Sequence, residues 1–341
     1  MKAAYLERDG ENAVIVIGEL PTPEPGPGEV RVRIKYAALN HLDNWVRKGQ
    51  AGVKLQFPHI LAGDGLGKVE RMGAGVTGVK IGDEVIVHPG LSCGKCEACT
   101  QGWESLCPSY QILGEHRSGT LAEFVVVPEA NCFIKPRGVE DKQAAGMALA
   151  YATAWQMVVE RAGVKSGQSV LVHAAASGVG SAAIQIAKLL GATVYATASS
   201  PAKQSLAKSL GADIALGYED FLAETKQLTG KRGVDVIIDH VGEKLWEANL
   251  KALRWGGVLV TCGSSSGYQG KTDLRHLFYR QLSLLGSTMG SKRHFPLILK
   301  HFGTGKLKTV IDRVYPFAQA NDAIARLENQ EVLGKVLIQV D

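Results

Sequence analysis

Short apolar runs alternate with turn residues over roughly the first 150 positions. Val/Ile-rich stretches at residues 13–18, 30–37, 68–71, 84–88, 121–127 and 132–135 are separated by Pro/Gly turns such as 21–28 and 73–78. Punctuation this dense predicts a small β-barrel or sandwich, because βαβ units would place helical segments between their strands. After Pro136 the spacing turns helical, and residues 144–159 are rich in Ala and Met. From Ser166 strand and helix patterns alternate. Apolar runs at 170–172, 193–197, 214–216, 234–238, 258–262 and 282–286 predict a doubly wound parallel sheet, hence an α/β fold. Residues 291–341 leave that rhythm, with a helix near 321–328 and a strand at 335–340 that can return to the first domain.

One turn carries a specific chemistry. The strand at 170–172 runs into tiny residues ending Ser177, Gly178, Val179 and Gly180, then into an apolar-periodic helix at 182–190 closed by Gly191. Small residues let the backbone approach a pyrophosphate, and the helix N-terminus adds N–H donors and partial positive charge. The dinucleotide fingerprint is present in relaxed form, as Ala175, Ser177 and Gly180, between a strand and a helix. An NAD site needs a carboxylate at the end of the second strand for the ribose hydroxyl. None occurs between Val194 and Gly211, where the chain offers Ser199, Ser200 and Lys203. Donors and a cation suit a 2′-phosphate, so the reading favours NADP(H). Ser200 before Pro201 also reads as a helix N-cap with Pro at the first helical position.

At 341 residues the chain calls for more than one domain, with boundaries placed at 1–152, 153–290 and 291–341. Hydrophobic content of 45%, no apolar run of membrane length and no apolar stretch after Met1 predict a soluble, cytoplasmic protein. A net charge of +5 spread along the chain argues against nucleic acid or membrane as partner. Four of the six cysteines cluster: Cys93, Cys96 and Cys99 at two-residue spacing, then Cys107. Four thiolates so spaced can close around one tetrahedral Zn²⁺ with no open position, a structural site. An iron–sulfur cluster and a set of free thiols are the alternatives. Cys132 and Cys262 fall in predicted strands and read as core thiols.

The cysteine lobe followed by a dinucleotide unit resembles the medium-chain dehydrogenase/reductase superfamily of zinc-type alcohol dehydrogenases and quinone reductases. The likeness extends over nearly the whole chain, through the Gly28-Glu29-Val30 turn, the stretch from Gly67 to Val85, the four cysteines, residues 175–180 and Gly334-Lys335-Val336. It implies a GroES-like barrel plus a Rossmann domain, a C-terminal segment rejoining the barrel, and a homodimer or homotetramer.

Departures from the family pattern are informative. Where the resemblance expects the Cys, His and Cys of a catalytic zinc, this chain has Asn40, Gly63 before Asp64, and Leu149; Leu42 replaces the proton-relaying Ser/Thr. Asn, Gly and Leu do not make a three-ligand zinc site. Asn40 and Asp43 are instead similar to the zinc-free quinone reductase branch, in which hydride goes to a conjugated acceptor. The resemblance further implies Asn40 as a donor to the substrate oxygen and His41 facing the pyrophosphate; Asp43 and Asp64 can orient His41 or Asn40, or simply satisfy backbone N–H groups. It places Thr153 against the nicotinamide, Tyr218 at the adenine and Lys335 near the pyrophosphate. Gly263, Ser264, Ser287 and Thr288 follow the last two parallel strands, where the nicotinamide should lie. Trp45 and Trp155 line an apolar pocket or the core. The expected activity is NADPH-dependent reduction of a carbonyl, enone or quinone without a catalytic metal. Oxidation of secondary alcohols is one alternative, and a nucleotide-binding protein without turnover is another.

Overall fold

Strand Glu29–Ala38 is the backbone of the first of two units in the chain. Its residues Val30, Val32 and Ile34 alternate into a core in which they are fully buried. In this computed structural model, which describes residues 1–50 and 52–341, that unit comprises Met1–Ala152 together with Gly290–Asp341. Glu29–Ala38 pairs antiparallel with Asp64–Met72, Phe124–Pro128 and Lys335–Gln339, and the path continues through Glu84–Val87 to Cys132–Ile134 and through Lys335–Gln339 to Ile311–Pro316. A smaller sheet joins Val16–Glu19, Lys2–Leu6 and His59–Ile60. The C-terminal strand is integral to the first unit: Leu337 faces Ala38 and Ile338 faces Ala37 across the ladder. Four buried residues in a row, Lys335 to Ile338, explain why it enters a sheet interior.

Asp64–Met72 is longer than the run at 68–71 because Gly65 and Gly67 extend it. A Cβ on Gly67 would lie 2.1 Å from the Arg33 carbonyl oxygen, so only glycine lets the neighbouring strand come this close. The N-terminal strand Lys2–Leu6 has no counterpart among the predicted runs. The helical stretch expected at 144–159 is divided into Asp141–Ala145, Ala148–Trp155 and a π-helical Gln156–Arg161; Gly146 ends the first piece.

The second unit, Thr153–Met289, is a six-stranded parallel sheet. Its order is Ile214–Leu216, Thr193–Thr197, Ser169–Val172, Val234–Asp239, Leu253–Thr261, Ser283–Gly286. Ser169–Val172 and Val234–Asp239 are buried throughout, as continuous apolar runs covered by helices on both faces should be. Strand order reverses between these two strands, which makes the crevice at their carboxyl ends the topological switch point.

Candidate functional site

In the first unit, the chain segments expected to meet around a metal do meet, around a carboxylate. Asp64, at the start of its strand, has no solvent exposure. Its Oδ1 accepts the Leu149 backbone N–H at 2.7 Å, and its Oδ2 accepts from Asn40 Nδ2 at 3.1 Å and from Lys335 Nζ at 2.9 Å. Lys335, 4% exposed, also donates to Asn40 Oδ1. The positions that the resemblance assigned to zinc ligands are thus joined by an ammonium–carboxylate pair and an amide. The same resemblance placed Lys335 beside a pyrophosphate. Its ammonium is committed to Asp64 instead, because a buried cation and a buried carboxylate each need the other. Among the described residues, one Asn40 amide proton and one Lys335 ammonium proton remain beyond these contacts.

Asp43 does not join that group. Its Oδ2 accepts the Asn40 backbone N–H at 2.7 Å and its Oδ1 the Ala62 N–H at 2.8 Å. Ala62 has φ +69°, so the carboxylate steadies a strained residue just ahead of Asp64. Asp43 is therefore a positioning residue that fixes the start of helix His41–Arg47. Burial pushes its carboxyl up to about 6 despite the two backbone donors. Glu115 is also buried, and burial followed by the charge of Asp43 raises it to about 7. The His41 ring packs edge-on against Trp45 at 5.5 Å, and burial lowers its basicity.

The four cysteines form a separate lobe, built on the short helix Glu97–Thr100 and the turn Glu104–Leu106. Their ligand atoms all lie within 4.8 Å of one another, with Cys93 Sγ 3.9 Å and Cys96 Sγ 3.5 Å from Cys99 Sγ. A tetrahedral zinc with bonds of about 2.3 Å needs sulfurs about 3.8 Å apart, so the residues fit the ion. Among the described residues no other group of three His, Cys, Asp or Glu side chains is arranged to hold a metal. From the last third of the chain, Arg293 Nη1 donates to the Gln101 carbonyl at 3.2 Å and ties the lobe down. Cys132 and Cys262 lie apart from it, and burial pushes both thiols up to about 12.

In the second unit the predicted cofactor residues, Thr153 in helix Ala148–Trp155 excepted, lie in segments that follow the carboxyl ends of parallel strands. Helix Gly178–Leu189 starts at Ser177, whose Oγ accepts the Gly180 N–H at 2.9 Å. A Cβ on Gly180 would lie 2.2 Å from the Ala174 carbonyl oxygen, so glycine is required where helix meets strand. This capped, small-residue turn, with Gly178 and Val179 in the first helical turn, fits a pyrophosphate. Tyr218 follows the edge strand, and its hydroxyl accepts the Ala174 N–H at 3.1 Å, so it braces the phosphate turn. Ser199 is exposed, and Ser200 caps helix Pro201–Ser209 by accepting the Lys203 N–H at 3.4 Å. Gly263 and Ser264 follow Leu253–Thr261, and Ser287 and Thr288 follow Ser283–Gly286. Among the described residues the buried hydroxyls of Thr153 and Ser287 have no hydrogen-bond partner.

Sequence reasoning missed two features here. His240 ends strand Val234–Asp239, with its Nε2 2.8 Å from Ser177 Oγ. Its signal was present: a polar residue closing an apolar strand at the switch point. His173 lies buried behind the turn, 2.8 Å from Thr197 Oγ1 and 2.6 Å from Asn249 Oδ1, and burial lowers it to about 4. Its two partners come from separate elements, strand Thr193–Thr197 and helix Glu243–Ala252, and no local pattern links them.

Residues 26–137 match the family described as alcohol dehydrogenase GroES-like domain, and residues 178–303 the family described as zinc-binding dehydrogenase. An NAD-dependent alcohol dehydrogenase of Sulfolobus acidocaldarius is 30% identical over 348 residues, with 100% of both chains covered. An acryloyl-coenzyme A reductase of Sulfurisphaera tokodaii is 29% identical over 94% of this chain and 95% of its own. The crystal structure of an NAD-dependent alcohol dehydrogenase superposes with a TM-score of 0.97 at 52% identity, covering 100% of each chain.

Proposed function

The chain belongs to the medium-chain dehydrogenase/reductase superfamily and is an oxidoreductase of alcohol dehydrogenase type, and on that premise we propose that it reduces a carbonyl, enone or quinone with NADPH and without a catalytic metal. The observation that carries this reading is the Asn40–Asp64–Lys335 group, in which Asn40 stands where the resemblance expects a zinc ligand and Asp64 ties it to the Leu149 backbone, at another such position. When bound, the nicotinamide supplies the hydride. Hydride addition leaves negative charge on the acceptor oxygen, and conjugation in an enone or quinone spreads it. Lys335 and Asn40 offer N–H donors for that oxygen in a site largely closed to water, where a fixed donor is worth more than in bulk solvent. Asp64 keeps the ammonium in place and neutral overall with its partner. Asp43 holds the backbone that presents both. The acryloyl-coenzyme A reductase among the relatives acts, by its name, on a conjugated carbonyl, which supports this acceptor class.

Preference for NADPH rests on the absence of a carboxylate from Val194 to Gly211 and on Lys203 in the first turn after Ser200. Homo-oligomerisation belongs to the same reading. Exposed Trp255, Leu274, Phe278 and Tyr279 lie near the sheet's edge strand Ser283–Gly286, and a second copy would cover them. A second reading, oxidation of secondary alcohols, is favoured by the relatives named alcohol dehydrogenases. Initial rates with enones, quinones and aldehydes under NADPH and NADH, against secondary alcohols under NADP⁺ and NAD⁺, decide between them. Turnover confined to alcohols and dependent on a second metal ion would refute the proposed reaction.

A further inference from the structure

His240 is half-buried at the carboxyl end of Val234–Asp239, the strand that faces Ser169–Val172 across the switch point. Two contacts and a glycine fix it in that crevice. Its Nε2 is 2.8 Å from Ser177 Oγ, the cap of the phosphate-turn helix. Its carbonyl oxygen accepts from Ser265 Oγ at 3.1 Å. A Cβ on Gly263 would come within 3.3 Å of the His240 Cβ, so the glycine makes room for it. The imidazole therefore meets the cap of the phosphate turn while its own backbone is held by the loop after the fifth strand.

We propose that His240 is a cofactor-binding residue that couples the charge of the pyrophosphate crevice to pH through Ser177. The proposal rests on the dinucleotide reading given above and adds a residue to it. Ser177 Oγ already accepts the Gly180 N–H, so its one proton is the variable part of the contact. With a neutral Nε2 as acceptor, the Ser177 hydroxyl donates to the ring and is unavailable to a phosphate. With Nε2 protonated, the ring donates to Ser177 Oγ, the hydroxyl proton turns outward, and a positive charge lies beside the turn. Both changes favour a bound dianionic pyrophosphate, and histidine is the side chain that makes this change near neutral pH.

The other groups around the ring leave it as the variable charge. Asp239, next to it in the chain, is buried and accepts the Val241 and Gly242 N–H groups, and its negative charge favours the protonated ring. His173, behind the phosphate turn, is held neutral by burial. Cys262, just past the neighbouring strand, carries a thiol that desolvation pushes up to about 12. Glu243, in the helix that follows, accepts the Gln269 N–H, and Tyr218 donates no charge near neutrality because burial raises its phenol further.

Calorimetric titration with NAD⁺ tests the assignment, since neither its pyrophosphate nor its adenine titrates between about pH 5.5 and about pH 8.5. In the wild-type protein the dissociation constant should fall about threefold to tenfold from the upper to the lower limit. His240→Gln keeps a hydrogen-bonding group within reach of Ser177 but carries no charge. It should bind with wild-type affinity at the upper limit and vary by less than about twofold across the range. By linkage, NAD⁺ should also raise the pH at which the His240 ring titrates in NMR spectra. Tight but pH-independent binding by the wild type, or an unchanged pH dependence in His240→Gln, would overturn the role of His240 alone. No NAD⁺ binding at any pH would overturn the dinucleotide reading and this inference with it.

Discussion

Replacing Lys335 by Met separates the two roles of its ammonium, structural and chemical. The Lys335 and Asp64 side chains are 5% and 0% exposed and their charges are 2.9 Å apart. At an effective dielectric of about 20 the gross attraction is about 6 kcal/mol, much of it offset by the cost of taking both charges out of water. Removing one partner is a different quantity, because Asp64 then remains buried with only Asn40 Nδ2 and the Leu149 N–H. That costs about 3–5 kcal/mol. In a unit of roughly 200 residues, it corresponds to a loss of about 10 °C in its melting temperature. Lys335→Met with Asp64→Asn removes the stranded charge while keeping the amide and backbone contacts, so the double variant should recover most of the lost stability. It should not recover turnover. If the ammonium is a donor to the acceptor oxygen, both variants lose about 100-fold to 1,000-fold in kcat. Denaturant melts and steady-state rates on all four proteins of the cycle are the measurements. A single variant destabilised by less than about 1 kcal/mol, or a double variant with wild-type kcat, would refute the reasoning.

Further outcomes follow from the other sites. Metal analysis of purified protein should return close to one zinc per chain, held by Cys93, Cys96, Cys99 and Cys107; two zincs per chain would contradict the metal-free reaction site, and iron would reverse the choice of ion. Lys203→Ala should raise the dissociation constant of NADPH about tenfold or more and leave NADH within about twofold. Equal losses for both would remove the 2′-phosphate role. Glu115 is raised from an ordinary carboxyl to about 7, so it binds its proton more tightly folded than unfolded. Its contribution to stability is present in full below about pH 4 and is lost as pH rises through about 7, an effect of order 2 kcal/mol. Glu115→Gln should flatten the fall in unfolding free energy over that window; an unchanged slope would assign the pH dependence elsewhere.

Much of the fold is local information, and so was legible. The parallel strands at 170–172, 193–197 and 214–216 lie where continuous apolar runs sit between turn residues. The phosphate turn and the cysteine lobe are equally local, since Ser177 to Gly180 and Cys93 to Cys107 bring their own groups together within one loop or turn. Lys335 shows the limit. Its position was read from resemblance as a cation for phosphate, but its partner Asp64 lies 271 residues away and the contact exists only once the last strand enters the first sheet.

What the sequence by itself determined is therefore most of the strands of the parallel sheet, the character of the phosphate turn, and the presence of Asn40, Gly63 and Leu149 where the resemblance expects zinc ligands. Only tertiary structure decided that Lys335 pairs with Asp64 and Asn40 and which strand-end residue reached Ser177. Spacing specifies groups that share a turn, whereas a buried charge or a half-buried imidazole takes its character from partners that distant strands bring to it.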